Sequence, residues 1–182
     1  MTRIPEVRRE LLPEELRPVY DAVLAEGKPQ GPSSVMVHSP EMAHRRRPIS
    51  NYMRWELKVD DRITELTILT TARALDCPYV WNAHAPLAVK AGVSQAFVDA
   101  LRDDRQLPAA PDDETTIVRY GLELMRGHKV SNETFMKAHA LFGTQHLVEL
   151  TSLMGHYAQN AYLLNAFEVD LPVPTNGPVL PV

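Results

Sequence analysis

Cysteine is nearly absent from this sequence: the 182 residues include one, Cys77. A single cysteine cannot form a disulfide within the chain, a thiolate zinc site or an iron–sulfur cluster. It also cannot sustain a redox cycle that needs two cysteines of the same chain. Cys77 is therefore either a small buried residue, as most isolated cysteines are, or a single reactive thiol.

A basic excess and a long apolar run are also lacking. The 19 Lys and Arg residues are outnumbered by 23 Asp and Glu residues, whereas nucleic-acid-binding proteins usually carry a basic excess on at least one element. No stretch approaches the ~18 apolar residues of a membrane span, and the opening MTRIPEVRRE has no signal-peptide core. We expect no nucleic-acid partner, no membrane segment and a reducing, cytoplasmic location.

The basic run is Arg45-Arg46-Arg47, preceded by His44. A solvated helix face or an ion-pair patch is the ordinary interpretation of such a run. Binding of an anion, including the carboxylate of a substrate, is the alternative.

Strand patterns are absent too, since neither two-residue alternation nor a hairpin turn is convincing. Hydrophobic residues instead recur with the helical period almost throughout. We predict a single all-α domain over residues 1–182, a compact multi-helix bundle of about seven or eight helices. Capping residues and prolines predict helices over about 13–26, 39–57 (kinked near Pro48), 60–75, 76–92, 94–104, 112–127, 131–142 and 144–167.

Two segments fall outside these helices. Residues 27–39 are predicted to be rich in turns, and residues 172–182 form a proline-rich, extended tail. Because the other tail residues are mostly apolar, we expect the tail to lie over a neighbouring surface of the same subunit or of another.

Glu65 stands out in the helix predicted over 60–75. It is followed at +3, +4 and +7 by Ile68, Leu69 and Ala72, so it lies on the apolar stripe of its helix. A buried carboxylate is costly unless it is paired or neutral. The alternatives are an edge glutamate that reaches solvent and an ion-paired core residue.

His84 repeats this pattern in the next helix. Val80 and Trp81 precede it and Leu87 and Ala88 follow it on the same face. A lone histidine on an apolar face is more often a satisfied core residue than a functional one.

Cys77 lies seven residues before His84, on the same stripe and at the predicted N-terminus of that helix, where the helix dipole favours a thiolate. Only a short link around Asp76 separates the two helices, so they are expected to pack antiparallel. At 1.5 Å per residue, Glu65 and His84 then reach similar depths in the seam between them. A buried carboxylate facing a buried imidazole is a candidate acid–base pair.

Glu65, Cys77 twelve residues later and His84 seven residues further, within CPYVWNAHAPLAVKAGVS, resemble the carboxymuconolactone decarboxylase superfamily, which includes the alkyl-hydroperoxidase D proteins. The resemblance covers residues 39–101 and extends more loosely into the last long helix. It implies an all-helical fold of the alkyl-hydroperoxidase D-like type with the motif helices in its core. It also implies a symmetric homo-oligomer, often a trimer or hexamer.

The sequence departs from the hydroperoxidase branch, in which the motif carries Glu, Cys-x-x-Cys and His. Val80 occupies the position of the second cysteine, so a disulfide cycle cannot close within one chain. Peroxide could still oxidise Cys77 to a sulfenic acid that an external thiol resolves. The decarboxylase branch does not depend on a cysteine pair: the resemblance implies proton transfer that lets a carboxylated lactone lose carbon dioxide.

We therefore predict a cofactor-free decarboxylase, isomerase or related lyase for a small carboxylated lactone or enol acid. His84 is the expected main acid–base group, Glu65 orients it or relays the proton, and Cys77 shapes or polarises the pocket. The alternatives are a one-cysteine hydroperoxidase that uses Cys77 and a non-catalytic protein that binds a small ligand or stabilises a partner.

Three further residues are candidates for lining the substrate site. Tyr79 and Trp81 flank the motif, with simple packing as the alternative. His146 heads the last helix on a stripe shared with Tyr157, with capping or core packing as the alternative. No histidine has the spacing of a metal motif, so we expect neither a metal nor a cofactor.

Overall fold

The chain folds into helices that surround a central one, as described by a computed structural model over residues 2–25 and 27–182. The helices are α1 (Arg17–Leu24), α2 (Pro32–Met36), α3 (Pro40–Asn51), α4 (Asp61–Ala74), α5 (Pro78–Ala91), α6 (Gln95–Arg102), α7 (Asp112–Gly127) and α8 (Asn132–Ala166). Short 3-10 turns at Arg9–Leu11 and Glu14–Leu16 precede α1, and a π-helical turn at Tyr52–Glu56 follows α3. The described residues contain no strand, which confirms the all-α prediction.

Several predicted helix starts are capped as expected. The Asp60 carboxylate accepts the backbone N–H of Arg62 at 2.8 Å, and it begins α4. Ser94 and Ser131 act in the same way at the starts of α6 and α8. Each side chain satisfies an N–H group that has no partner within its helix.

The predicted boundaries differ from the structure in the first third of the chain. The turn-rich segment 27–39 contains α2, which has five residues and is too short to show a helical period. The predicted first helix begins as a 3-10 turn, and its predicted end at residue 26 lies outside the described residues. Pro48 stays inside α3, and the chain then widens into the π-helical turn.

The two helices predicted near the C-terminus form the single element α8, interrupted at Gly143. The φ and ψ angles of Gly143 are 69° and 172°, which are not helical and which favour glycine. The two helical parts therefore cover 132–142 and 144–166, close to the predicted boundaries.

The central helix is α4, which packs against α5, α7 and α8. Ten consecutive residues, from Ile63 to Ala72, are buried, so α4 is enclosed on all sides. Three buried threonines on α4 donate hydrogen bonds from their hydroxyl groups to backbone carbonyl oxygens one turn earlier, so the hydroxyls have partners inside the core. They are Thr67, Thr70 and Thr71. Polar side chains on α4 thus lie inside the protein, where their interactions are strong.

The end of the chain closes the core beside α5. The backbone N–H of Asn176 donates to Asn82 Oδ1 at 2.8 Å, and Leu180 is buried in the main hydrophobic cluster. Among the described residues, no helix combines the length and the apolar character needed to cross a membrane.

Candidate functional site

Glu65 on α4 and His84 on α5 meet in the seam between their helices. His84 Nδ1 lies 2.7 Å from Glu65 Oε2, and the two residues are 6% and 8% exposed. Asp76, with a positive φ of 47°, forms the tight link that lets the helices run antiparallel. The structure therefore selects the paired, buried interpretation of Glu65 over the solvent-exposed one.

Arg54 is the third member of this cluster, and no pattern in the sequence indicated it. Its Nη1 donates to Glu65 Oε1 at 2.8 Å, so the two oxygens of the carboxylate have different partners. The guanidinium also lies 4.8 Å from the centre of the Trp55 ring, a cation–π contact. Arg54 belongs to the π-helical turn, whose position the hydrophobic period does not reveal.

Burial and charge act in opposite directions on Glu65. Burial alone raises the pKa of this carboxyl group, but the hydrogen bond and charge of His84, together with Arg54, lower the pKa below its usual value. Glu65 is therefore ionised at neutral pH. It can accept a proton from a ligand beside it or from His84.

Tyr157 on α8 packs against the other side of His84. The two rings meet edge to face, with centroids 5.0 Å apart and planes at 89°. Burial raises the pKa of Tyr157 to about 12, so the phenol stays neutral at physiological pH. This contact holds the imidazole in place without adding a charge.

A cleft of about 410 Å³ opens beside the pair. Glu65 and Arg54 border it, whereas His84 lies behind Glu65 and is not among the lining residues. The cleft is lined by Arg54, Trp55, Leu57, Val59, Asp61, Thr64, Glu65, Leu87, Lys90 and Ala91. A ligand in this cleft can contact the Glu65 carboxylate directly, whereas the His84 imidazole is connected to the ligand only by way of that carboxylate.

Cys77 lies in the hydrophobic core and does not border this cleft. Cys77 is 0% exposed to solvent. Burial raises the pKa of the Cys77 thiol, and the backbone N–H groups of Val80 and Tyr79 offset only part of that effect. The expected thiolate at the helix N-terminus is therefore not favoured, because desolvation outweighs the helix end.

The other three candidates lie outside the Glu65 cleft. Tyr79 packs on Gly31, where a Cβ atom would lie 2.9 Å from the tyrosine ring. Trp81 is almost fully buried and borders a different cavity, near the C-terminal tail. His146 Nδ1 lies 2.9 Å from Glu149 Oε2 and borders a neighbouring cleft.

The basic run divides between two environments. Arg45 pairs with Glu41 on the outer face of α3, as an ion-pair patch would. Arg46 instead reaches across to α8.

Among residues 2–25 and 27–182, no group of three or more His, Cys, Asp or Glu side chains is arranged to hold a metal ion.

The segment that carries the Glu65, Cys77 and His84 motif is also the segment that resembles a known protein family. Residues 40–120 match the model of the Carboxymuconolactone decarboxylase family. This segment contains Arg54, Glu65, Cys77 and His84. None of the curated proteins searched matches the chain.

Two solved structures share the fold. A peroxidase-related protein from Ralstonia eutropha JMP134, described as an alkylhydroperoxidase AhpD core, superposes with a TM-score of 0.70 at 14% identity, over 94% of this chain and 93% of that one. A protein of unknown function from Agrobacterium tumefaciens, linked by name to AhpD antioxidant defence, gives a TM-score of 0.68 at 16% identity, over 79% of this chain and 99% of that one. At these identities the likeness concerns the fold.

Proposed function

We propose that this chain is a cofactor-independent lyase of the carboxymuconolactone decarboxylase and alkyl-hydroperoxidase D-like superfamily; the match of residues 40–120 to the family model and the fold shared with two AhpD-like structures support this. Its substrate is a small carboxylated lactone or enol acid, bound in the cleft beside Glu65. The reaction is decarboxylation, or the related proton shift of an isomerase.

The observation that carries this proposal is the 2.7 Å contact between His84 Nδ1 and Glu65 Oε2, in a place where both residues are buried. Keeping a carboxylate and an imidazole in the core costs free energy that only compensating hydrogen bonds and charges offset. Arg54 supplies part of that compensation at 2.8 Å. The proximity of the two titratable groups to an open cleft is typical of acid–base sites.

In the proposed reaction, the bond between the substrate carboxylate and its neighbouring carbon breaks, and carbon dioxide leaves. The electron pair remains on the substrate as an enolate, which the lactone carbonyl stabilises. One proton then completes the product. His84 supplies that proton through Glu65, the member of the pair that borders the cleft, and water restores it.

The cleft also offers groups for positioning the substrate. Lys90 is the lining cation that Glu65 does not engage, and it is suited to hold a substrate carboxylate. Trp55 is 74% exposed and presents its ring next to Arg54. A flat lactone ring can stack on it.

The hydroperoxidase alternative has weaker support in this chain. It requires peroxide to reach Cys77, which is fully buried and whose pKa is raised by burial. The thiolate is the form that reacts with peroxide. Rapid labelling of Cys77 by a sulfenic-acid probe after peroxide treatment, with peroxide consumption, would favour this alternative over the lyase.

Replacement of the imidazole tests the lyase proposal. We expect His84→Gln to lower kcat about 100-fold or more on carboxymuconolactone-like acids, measured as carbon dioxide release, because the proton source is lost. The matched control is His44→Gln, which changes an exposed histidine on α3 and should leave kcat unchanged. Undiminished turnover by a folded His84→Gln protein would remove the assignment.

A further inference from the structure

Arg46 is held across the interface between α3 and α8 by neutral groups. Its Nε donates to Gln159 Oε1 at 2.8 Å, and its Nη2 donates to Asn160 Oδ1 at 2.7 Å. The same Nη2 lies 2.9 Å from His156 Nε2. The remaining nitrogen, Nη1, has only Met36 Sδ at 3.8 Å, which is a weak acceptor.

Among the described residues, the partners of the Arg46 guanidinium on α8 are neutral side chains. Within the described parts of the chain, no carboxylate pairs with this guanidinium, and burial lowers the Arg46 pKa. Burial, and then the nearby Arg46 charge, lower the pKa of His156 to about 4, so the imidazole is neutral at pH 7 and serves as an acceptor. A partly desolvated cation is stable when an anion accompanies it.

A cleft of about 240 Å³ lies beside this guanidinium, between α1, α2 and α3. Besides Arg46, its described lining residues include the cation Lys28 and side chains with N–H or O–H donors, and none of these described lining residues is Asp or Glu. They are Val23, Gly27, Lys28, Pro29, Gln30, Ser33, Met36, Ala43, Arg46, Arg47, Ser50 and Asn51. Cations together with neutral donors are the groups that bind carboxylates and phosphates.

We propose that this cleft is a binding site for a small oxyanion, a carboxylate or a phosphate group, with Arg46 Nη1 as its central donor. The three acceptors on α8 orient the guanidinium, so that little conformational entropy is lost when the anion binds. Lys28, which also pairs with Glu6 at 2.9 Å on the surface, adds positive charge at the rim.

This site is separate from the one used in the proposed reaction. The Arg46 cleft and the Glu65 cleft have no lining residue in common. The inference therefore stands whether or not the chain is a lyase.

Anion titrations test the proposal. The melting temperature, Tm, is measured while the concentration of inorganic phosphate or acetate is increased. Chloride is decreased in parallel so that the ionic strength stays constant. We expect a saturable rise in Tm with at least one of the two anions, because a ligand that binds the folded state stabilises it. Saturation by phosphate alone indicates a phosphate-bearing ligand, and saturation by acetate indicates a carboxylate; either supports the site.

Variants locate the binding. We expect Arg46→Gln to weaken the apparent Kd about tenfold or more, because a charge-assisted hydrogen bond is lost. The matched control, Arg45→Gln, removes the neighbouring exposed arginine and should bind as the wild type does. Equal binding by folded Arg46→Gln, or no saturation with either anion, overturns the proposal.

Two surface variants keep the test decisive if Arg46→Gln does not fold. Lys28→Gln and Ser33→Ala alter exposed lining residues, and both should weaken the anion-dependent rise in Tm. If neither weakens it, or if Lys90→Gln abolishes it, the anion binds elsewhere and the proposed site is wrong.

Discussion

The pair of Glu65 and His84 links the stability of the protein to pH. The folded-state pKa of Glu65 lies below its ordinary value of 4.5. A carboxyl group whose pKa is lowered on folding contributes stability above its unfolded pKa, and this contribution is lost as pH falls through the folded pKa. The site should thus be intact at neutral pH and weaken below about pH 4.5.

We expect Glu65→Gln to lower the free energy of unfolding at pH 7 by about 3 kcal/mol, because Arg54 and His84 lose the anion between them. The difference should shrink as pH falls below 4.5, where the wild-type carboxyl group begins to protonate. Denaturant titrations at several pH values measure both effects. Glu56→Gln, at an exposed position of the same π-helical turn, is the control. An equal loss of stability at pH 7 and at low pH would contradict the linkage.

At the scale of elements, the junction between α7 and α8 depends on another carboxylate. Glu123 accepts the backbone N–H of Ser131 and the Thr134 hydroxyl, both at 2.7 Å. These bonds, with that of Ser131 the largest cause, lower the pKa of Glu123 to about 2. Glu123 therefore fixes the start of α8, the helix that carries Tyr157 to His84.

We expect Glu123→Gln to lower the free energy of unfolding at pH 7 by about 1 kcal/mol, a typical value for a lost helix-end interaction. The effect should decline as pH falls from 4.5 towards 2, since the wild-type group then protonates as well. Thermal unfolding at stepped pH measures it. Glu133→Gln, whose side chain is 79% exposed, serves as the control and should change little.

At the scale of the whole molecule, residues from the two ends of the chain lie against the helical core. Arg3 N–H bonds to the carbonyl of Phe167 at 2.9 Å, and Asn176 bonds to Asn82 on α5. Leu180 is only 2% exposed. The tail thus covers the side of α5 that bears Trp81, and it adds a side chain to the core.

We expect Leu180→Ala to destabilise the protein by about 2–4 kcal/mol, because it leaves a cavity in a packed cluster. Val182→Ala, at a position that is 82% exposed, should be nearly neutral. Denaturant unfolding of both variants compares them directly. Equal stability of the two would mean that the tail does not stay on the core in solution.

The oligomeric state is a separate prediction. Light scattering measures the molar mass in solution and so tests whether the protein is the expected trimer or hexamer.

Local interactions explain which features could be predicted from the sequence. Helical period, capping residues such as Asp60 and Ser94, and the Gly143 break are encoded within a few residues of where they act. The pairing of Glu65 with His84 was also predictable, because a short link forces the two helices to be antiparallel neighbours. The resemblance to the carboxymuconolactone decarboxylase family rests on the same local motifs, and residues 40–120 match the model of that family.

Only the tertiary structure decided which side chains share a surface. Arg54 reaches Glu65 because the π-helical turn changes the helical register after α3. Arg46 bonds to Gln159 and Asn160 on α8, which follow it in the sequence by 113 and 114 residues. Cys77 is the opposite case: its position in the motif predicted a pocket residue, but packing on every side made it part of the core. Such outcomes depend on desolvation and on contacts between distant segments, which no local pattern records.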